Sequence, residues 1–176
     1  MVGVLSSLAA PYMLADGSLL QFYRNCTTGN SDVDFSIQVK WWRDNQKRLQ
    51  QELIKKGFKR EKTFGDINQN WGHAESWKKF GVKADLYGNI LVDGYSVVPL
   101  WIGKNVFSCH MKVARIVYYH WLEGLVVKGP HPIEDALMSA YGFNYLHPIE
   151  KWSWDRDAFV TGYCRFEERH KSVSSN

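Results

Sequence analysis

The sequence predicts an α+β fold, a mixed or antiparallel sheet flanked by helices. Three observations predict it. An amphipathic helical pattern covers Lys40 to Lys56, a second helix is bracketed by Pro132 and Gly142, and alternating apolar and polar segments with turn dipeptides lie between them.

The elements follow in chain order. Gly17-Ser18 opens a short helix that runs through Leu19, Leu20, Phe22 and Tyr23 to Arg24. Asn25 to Ser31, dense in Asn, Thr, Gly and Ser, is a loop, and Val33 to Val39 alternates with period two as a half-buried strand does. In Lys40–Lys56 the residues Trp41, Trp42, Leu49, Leu53 and Ile54 share one helical face. Arg43, Lys47, Arg48 and Lys55 share the other, and Gly57 is placed as a C-cap. Strand-like segments follow at Phe58–Phe64, Trp77–Asn89, Ser96–Ile102 and Lys112–Tyr118, with Gly88-Asn89 and Asp93-Gly94 as turn signals. Pro132 to Gly142 has Pro at its start, acids in its first turn and Gly at its end, so it reads as a helix. Beyond it Pro148, Trp152 and Trp154 mark an irregular aromatic segment whose rings serve packing.

The 176 residues suffice for one domain, expected over residues 1–170, with the polar run 171–176 as a fraying tail. Hydrophobic residues at 45% and charged residues at 23% exclude a disordered composition. The net charge of +4 is concentrated: Lys40 to Lys62 holds nine basic and three acidic residues, which leaves 13 against 15 elsewhere. That excludes a protein coated in positive charge for nucleic acid and leaves one basic stretch, read as a solvated helix face, with a charged donor, phospholipid or RNA as its alternatives. Cys26, Cys109 and Cys164 permit at most one disulfide and include no C-x-x-C pair, so a zinc ribbon is excluded. No segment reaches the roughly 18 apolar residues of a spanning helix. The chain therefore reads either as soluble or as the catalytic part of a longer product.

Chemistry is carried by carboxylates. Asp32-Val33-Asp34 sets two acids on one face of a strand start, and two carboxylates held that close repel unless a cation lies between them. Asp85, in Lys83-Ala84-Asp85-Leu86-Tyr87, is a third acid on a second alternating segment. Gly17-Ser18 at a helix start lets backbone N–H groups approach a phosphate. A Gly-Ser turn, a D-x-D strand and a later strand Asp are the parts of a nucleotidyltransferase-type site. Metal held by the acids neutralises phosphate charge, and no covalent nucleophile is required. Asp66 and Asp93, beside glycines, read as turn formers, and His73 and His110 as structural. Asn25-Cys26-Thr27 fits the N-glycosylation pattern but adjoins the phosphate loop, so it is expected to be unmodified.

At these residues the sequence resembles the LicD/fukutin family of phosphotransferases. Gly17 to Cys26 followed by Ser31-Asp32-Val33-Asp34-Phe35-Ser36-Ile37, then Lys83-Ala84-Asp85-Leu86, is similar to that family's Gly-Ser/Thr-Leu-Leu helix, Asp-Val-Asp pair and later Lys-Leu-Asp strand. Pro132-Ile133-Glu134, Tyr141-Gly142 and Pro148 to Asp155 resemble its C-terminal ending, so the likeness runs from about Gly17 to Asp157. The resemblance implies a nucleotidyltransferase-like fold. It implies transfer of a phosphorylated alcohol, ribitol 5-phosphate or similar, from a CDP-linked donor to the hydroxyl of a glycan or glycoprotein acceptor. Asp32, Asp34 and Asp85 would be the catalytic residues and would hold Mg²⁺ or Mn²⁺. Gly17 and Ser18 would contact donor phosphate, and Arg24 would support the loop or pair with phosphate. No nucleic-acid partner is expected, and membrane association would run through a missing anchor or a partner, with residence in the Golgi or secretory pathway. The alternative it leaves is a catalytically inactive nucleotide- or glycan-binding relative that partners an active transferase.

Overall fold

A computed structural model describes residues 1–25, 32–68, 72–102, 105–120, 124–147, 157 and 163–166. The chain runs α1 (Val2–Ser7), β1 (Tyr12–Leu14), α2 (Asp16–Asn25), β2 (Asp32–Gln38), α3 (Val39–Lys55), β3 (Lys59–Phe64), β4 (Ala74–Lys79) and β5 (Val82–Val92). It continues with β6 (Tyr95–Ile102), β7 (Asn105–Lys112), β8 (Arg115–His120), β9 (Val126–His131), α4 (Ile133–Tyr141) and β10 (Cys164–Phe166). This is an α+β architecture: a mixed, mostly antiparallel sheet with helices against it.

β5 is the hinge of that sheet. Its first part lies between β2, which it pairs in parallel, and β4, which it pairs antiparallel; its last residues, Ile90 to Val92, pair with β6. The remaining order runs β6, β7, β10 on one side and β2, β1 on the other, while β8 and β9 form a separate hairpin. The parallel β2–β5 pair needs a crossover, and α3 begins it directly after β2. Val39, Trp42, Leu49 and Leu53 are its buried face. α3 closes with the hydrogen-bond pattern of a Schellman motif: Gly57, at φ +82°, donates to the Ile54 carbonyl (2.8 Å) and Phe58 to that of Leu53 (3.0 Å). Ile54, expected on the buried face, is 64% exposed, whereas Leu53 beside it in the last turn of α3 is fully buried.

Three strand expectations are corrected. Trp77–Asn89 is two strands, not one: β4 ends at Lys79 and β5 starts at Val82 across a two-residue turn at Phe80-Gly81. Both turn residues have positive φ, 52° and 83°, the signature of a type I′ hairpin. An aromatic residue at the first of these positions hides the turn from sequence patterns, since Asn, Asp or Gly is the usual occupant. Gly88-Asn89 is no turn but lies inside β5; a Cβ at Gly88 would stand 3.1 Å from the His73 carbonyl oxygen and 3.3 Å from Val39 Cγ2, so glycine serves close packing there. Lys112–Tyr118 is interrupted at Val113, whose N–H turns to the Gly94 carbonyl (2.7 Å), so β7 ends and β8 leaves for the second sheet. Asp93-Gly94 is a turn as expected, again with two positive φ values, 48° and 77°. β2, read as half-buried, has a fully enclosed centre at Asp34, Phe35, Ser36 and Ile37, because both faces of the sheet are covered there.

α4 has Pro132 as its N-cap and Gly142 as its C-cap, with Glu134 and Asp135 in the first turn. Cys109 of β7 and Cys164 of β10 form a disulfide. The large buried side chains Trp42, Trp77, Tyr12, Phe35, Leu86 and Leu137 belong to one hydrophobic cluster. Among the described residues no helix is long and apolar enough to cross a membrane. The segment holding Pro148, Trp152 and Trp154, the loop Cys26–Ser31 and the tail 171–176 lie outside the described residues.

Candidate active site

Strand register builds the site. In the parallel β2–β5 pair Asp32 stands opposite Lys83 and Asp34 opposite Asp85, and residues directly opposite point to one face of a sheet. The alternate residues Val33, Phe35, Ala84 and Leu86 point to the other face, toward apolar surroundings. Carboxylate oxygens of Asp32, Asp34 and Asp85 all lie within 4.8 Å of one another. They open on a cavity of about 290 Å³ whose lining includes Asp16, Gly17, Lys83, Tyr87 and Tyr163.

Each acid is held differently. Asp34 is held on three atoms by α2 and the residue before it: its N–H donates to Ser18 Oγ (2.7 Å), its Oδ2 accepts from the same hydroxyl (3.4 Å), and its carbonyl accepts from the Ala15 N–H (3.1 Å). Lys83 Nζ bridges Asp85 Oδ2 at 2.6 Å and Asp32 Oδ2 at 3.4 Å. Among the described residues Asp85 Oδ1 is buried without a hydrogen-bond partner, and Asp85 lines the cavity. A carboxylate oxygen left without a donor in a polar cavity is costly unless a cation or a ligand completes it.

A fourth carboxylate stands beside the triad. Asp16, the first residue of α2, is buried, and its Oδ1 accepts from Tyr163 Oη at 2.7 Å. Tyr163 reaches it across 147 residues because β10 pairs with β7, its carbonyl accepts the His110 N–H (2.8 Å), and the Cys109–Cys164 disulfide fixes the next residue. Sequence reasoning missed both. The Asp-Gly pair opening a helix was a usable signal for Asp16; nothing local signals Tyr163.

The electrostatics are those of crowded acid groups. Burial, then the charges of Asp16, Asp32 and Asp85, raises the Asp34 carboxyl well above the usual range, with Lys83 opposing. Burial pushes Asp16 up to about 6 against the Tyr163 hydrogen bond, which favours the carboxylate. For Lys83, burial favours the neutral amine, but Asp85 and Asp32 outweigh it and raise its pKa. Four carboxylates thus share one described ammonium in the cavity lining. An oxygen-only donor set at this spacing suits a hard divalent cation such as Mg²⁺ or Mn²⁺ rather than zinc, which favours nitrogen and sulfur.

The other expected residues fall in two places. Gly17 lines the cavity at the start of α2, where the first-turn amides lack intrahelical acceptors. The Ser18 hydroxyl is committed to Asp34 and acts as a brace. Arg24 lies at the far end of α2, where its Nε donates to the Tyr145 carbonyl (2.9 Å) and its Nη2 donates to the same oxygen, so the helix is anchored to the turn after α4. Arg24 is not brought to the triad. Asp66 accepts the N–H of Asn68 (2.9 Å) in a turn. His73 packs its ring against Trp42, with centroids 4.6 Å apart.

No protein-family description matches the chain, and no curated protein matches it. A solved structure of the lincosamide antibiotic adenylyltransferase LnuA with lincomycin bound is similar over 73% of this chain and 74% of that one, at 11% identity and a TM-score of 0.47. A likeness of that degree transfers neither activity nor substrate to this chain. The resemblance to the LicD/fukutin family is corrected by the first of these findings: no family description recognises the chain. The physical reason is that Gly-Ser at a helix start, D-x-D and K-x-D are what any strand-borne metal site needs, so such short motifs recur without common descent. What the resemblance implied about glycan modification and the Golgi falls with it.

Proposed function

We propose that this chain is a divalent-metal-dependent transferase that moves a phosphorus-containing group from a nucleotide donor to an acceptor hydroxyl. The observation that supports it is the triad of Asp32, Asp34 and Asp85, with oxygens within 4.8 Å, at a cavity shared with the N-terminus of α2. Asp32, Asp34 and Asp85 would hold Mg²⁺ or Mn²⁺. When bound, such an ion neutralises phosphate charge and makes phosphorus more electrophilic. The amides around Gly17 face the donor phosphates, Ser18 holds Asp34 in register, and Lys83 orients Asp32 and Asp85. The acceptor oxygen forms a bond to phosphorus as the phosphoanhydride bond breaks. With Asp85 Oδ2 held by Lys83 and Oδ1 directed to the ion, the hydroxyl proton passes to solvent in the cavity as the new bond forms. The donor class is a pyrophosphate-linked nucleotide, either a nucleoside triphosphate, which would release pyrophosphate, or a CDP-linked alcohol, which would release CMP.

Thermal shift with Mn²⁺ across both donor sets, followed by assay of released pyrophosphate and CMP, tests the reading. A donor at about 100 times its dissociation constant stabilises by about 2.7 kcal/mol, or about 5–10 °C in a chain of this size. That shift should appear only with metal and vanish in Asp34→Asn and Asp85→Asn, and release should identify the donor. A shift that survives both substitutions, or metal-dependent binding with no release from any donor, would remove the enzymatic assignment.

A further inference from the structure

The β4–β5 hairpin tip carries Phe80 at φ +52°, where a bulky side chain is disfavoured, and leaves the residue 92% exposed. A bulky residue left almost wholly exposed on a backbone conformation that disfavours it is an outlier that points to a role outside the fold. Its neighbours share the pattern: Val82 is 53% exposed, Leu125 45% and Ile54, in the last turn of α3, 64%. An apolar cavity of about 450 Å³, lined in part by Phe58, Phe80, Val82 and Leu125, opens beside them.

Cations surround this apolar point. Lys79 Nζ lies 5.4 Å from the Phe58 ring centre and 4.8 Å from that of Phe80, and it donates to the Lys56 carbonyl (2.7 Å), which locks the hairpin tip to the end of α3. Lys55 and Lys56 are exposed at that helix end. Lys78 and Lys59, cross-strand partners, flank the tip from the opposite face of the sheet. The nearby acids Glu52 and Glu61 pair with Lys55 (3.6 Å) and Lys78 (3.5 Å), which leaves a net positive collar.

We infer that this tip docks the protein on a negatively charged lipid bilayer, with Phe80 and its aliphatic neighbours entering the interface and the lysine collar lying at headgroup level. Phe80 offers one ring on which a base could stack, but its neighbours Val82, Ile54 and Leu125 offer none, and the collar supplies lysine point charges rather than arginine forks, so hydrocarbon suits the surface better than RNA. The inference is independent of the transferase reading, since the triad lies on the other face of β2 and β5 from Val33, Phe35 and Ala84, which line the apolar cavity.

The test is co-sedimentation of the full chain with phosphatidylcholine vesicles, with and without about 30 mol% phosphatidylserine. Wild type should partition to the anionic vesicles, weakly to the neutral ones, and lose binding as salt rises. Removing Lys55 or Lys56 as alanine variants should weaken partitioning about fivefold each. Phe80→Asn should weaken it by a similar factor, and Asn suits the type I′ turn better than Phe, so the fold is kept. No partitioning to anionic vesicles, or partitioning unchanged by both kinds of substitution, would overturn the inference. Lysine-dependent but Phe80-independent binding to single-stranded RNA without vesicle binding, or Phe80-dependent self-association in light scattering, would overturn it in favour of another occupant.

Discussion

Replacing Asp16 by Asn isolates the charge of one buried carboxylate. The amide oxygen keeps an acceptor for Tyr163 Oη, which donates to Asp16 Oδ1 at 2.7 Å, and Asn tolerates the φ of +47° at this position as well as Asp does. Only ionisation is removed. The carboxyl titrates near 3.8 in the unfolded chain, and burial pushes it up to about 6 in the folded one. A raised carboxyl adds stability that is fully present below the unfolded value and is lost as pH rises through the folded one. Above about pH 6 the folded wild type therefore carries a penalty. About two pKa units at 1.36 kcal/mol each make it about 3 kcal/mol. In urea unfolding with a chelator present, Asp16→Asn should be more stable than wild type by about that amount at pH 7. In melting temperature the gain is about 6–12 °C. The two proteins should converge below about pH 3.5, where both side chains are neutral. If the variant is no more stable at pH 7, or if its advantage persists unchanged in acid, the electrostatic account of this site is wrong.

Two further substitutions separate bracing from binding. Ser18→Ala leaves the buried Asp34 N–H without its 2.7 Å acceptor and should cost about 1–3 kcal/mol in equilibrium unfolding; an unchanged midpoint would show that water replaces the hydroxyl. Arg24→Ala frees the Tyr145 carbonyl and should cost about 1–2 kcal/mol while leaving Mn²⁺ affinity by calorimetry unchanged, since Arg24 is not among the cavity residues; a lost donor affinity instead would place its guanidinium on phosphate.

The helices α3 and α4 were legible because each carried its own ends, whereas α1 (Val2–Ser7) was not read as a helix. Gly57 and Gly142 terminate α3 and α4 in the way their positions predicted, and the acids of the first α4 turn fix its start. The sheet was harder, since pairing is not a local property. The pattern over 77–89 could not show a turn whose first residue is Phe80, and Gly88 looked like punctuation although it answers to His73 and Val39 across the packing interface. For the site the same division holds. Asp32, Asp34 and Asp85 could be nominated from spacing, but their proximity depends on a parallel register that alternation alone does not specify. Tyr163 could not be nominated, because a distant strand pairing and a disulfide deliver it.

The register itself explains how four acids stay together without a cation. Slipping β5 by one residue against β2 would turn Asp85 into the apolar face and Leu86 into the cavity. Phe35 and Leu86, both at most 1% exposed, oppose that slip, as each buried side chain of this size contributes about 1.5–3 kcal/mol. Together they match the penalty of about 3 kcal/mol assigned to Asp16 and part of the repulsion borne by Asp34. The apolar side of the β2–β5 pair therefore holds the acidic side in place, and Lys83 relieves part of the charge from within the same strand. A divalent cation held by Asp32, Asp34 and Asp85 would therefore find carboxylates already positioned and would relieve their repulsion rather than organise the chain around itself.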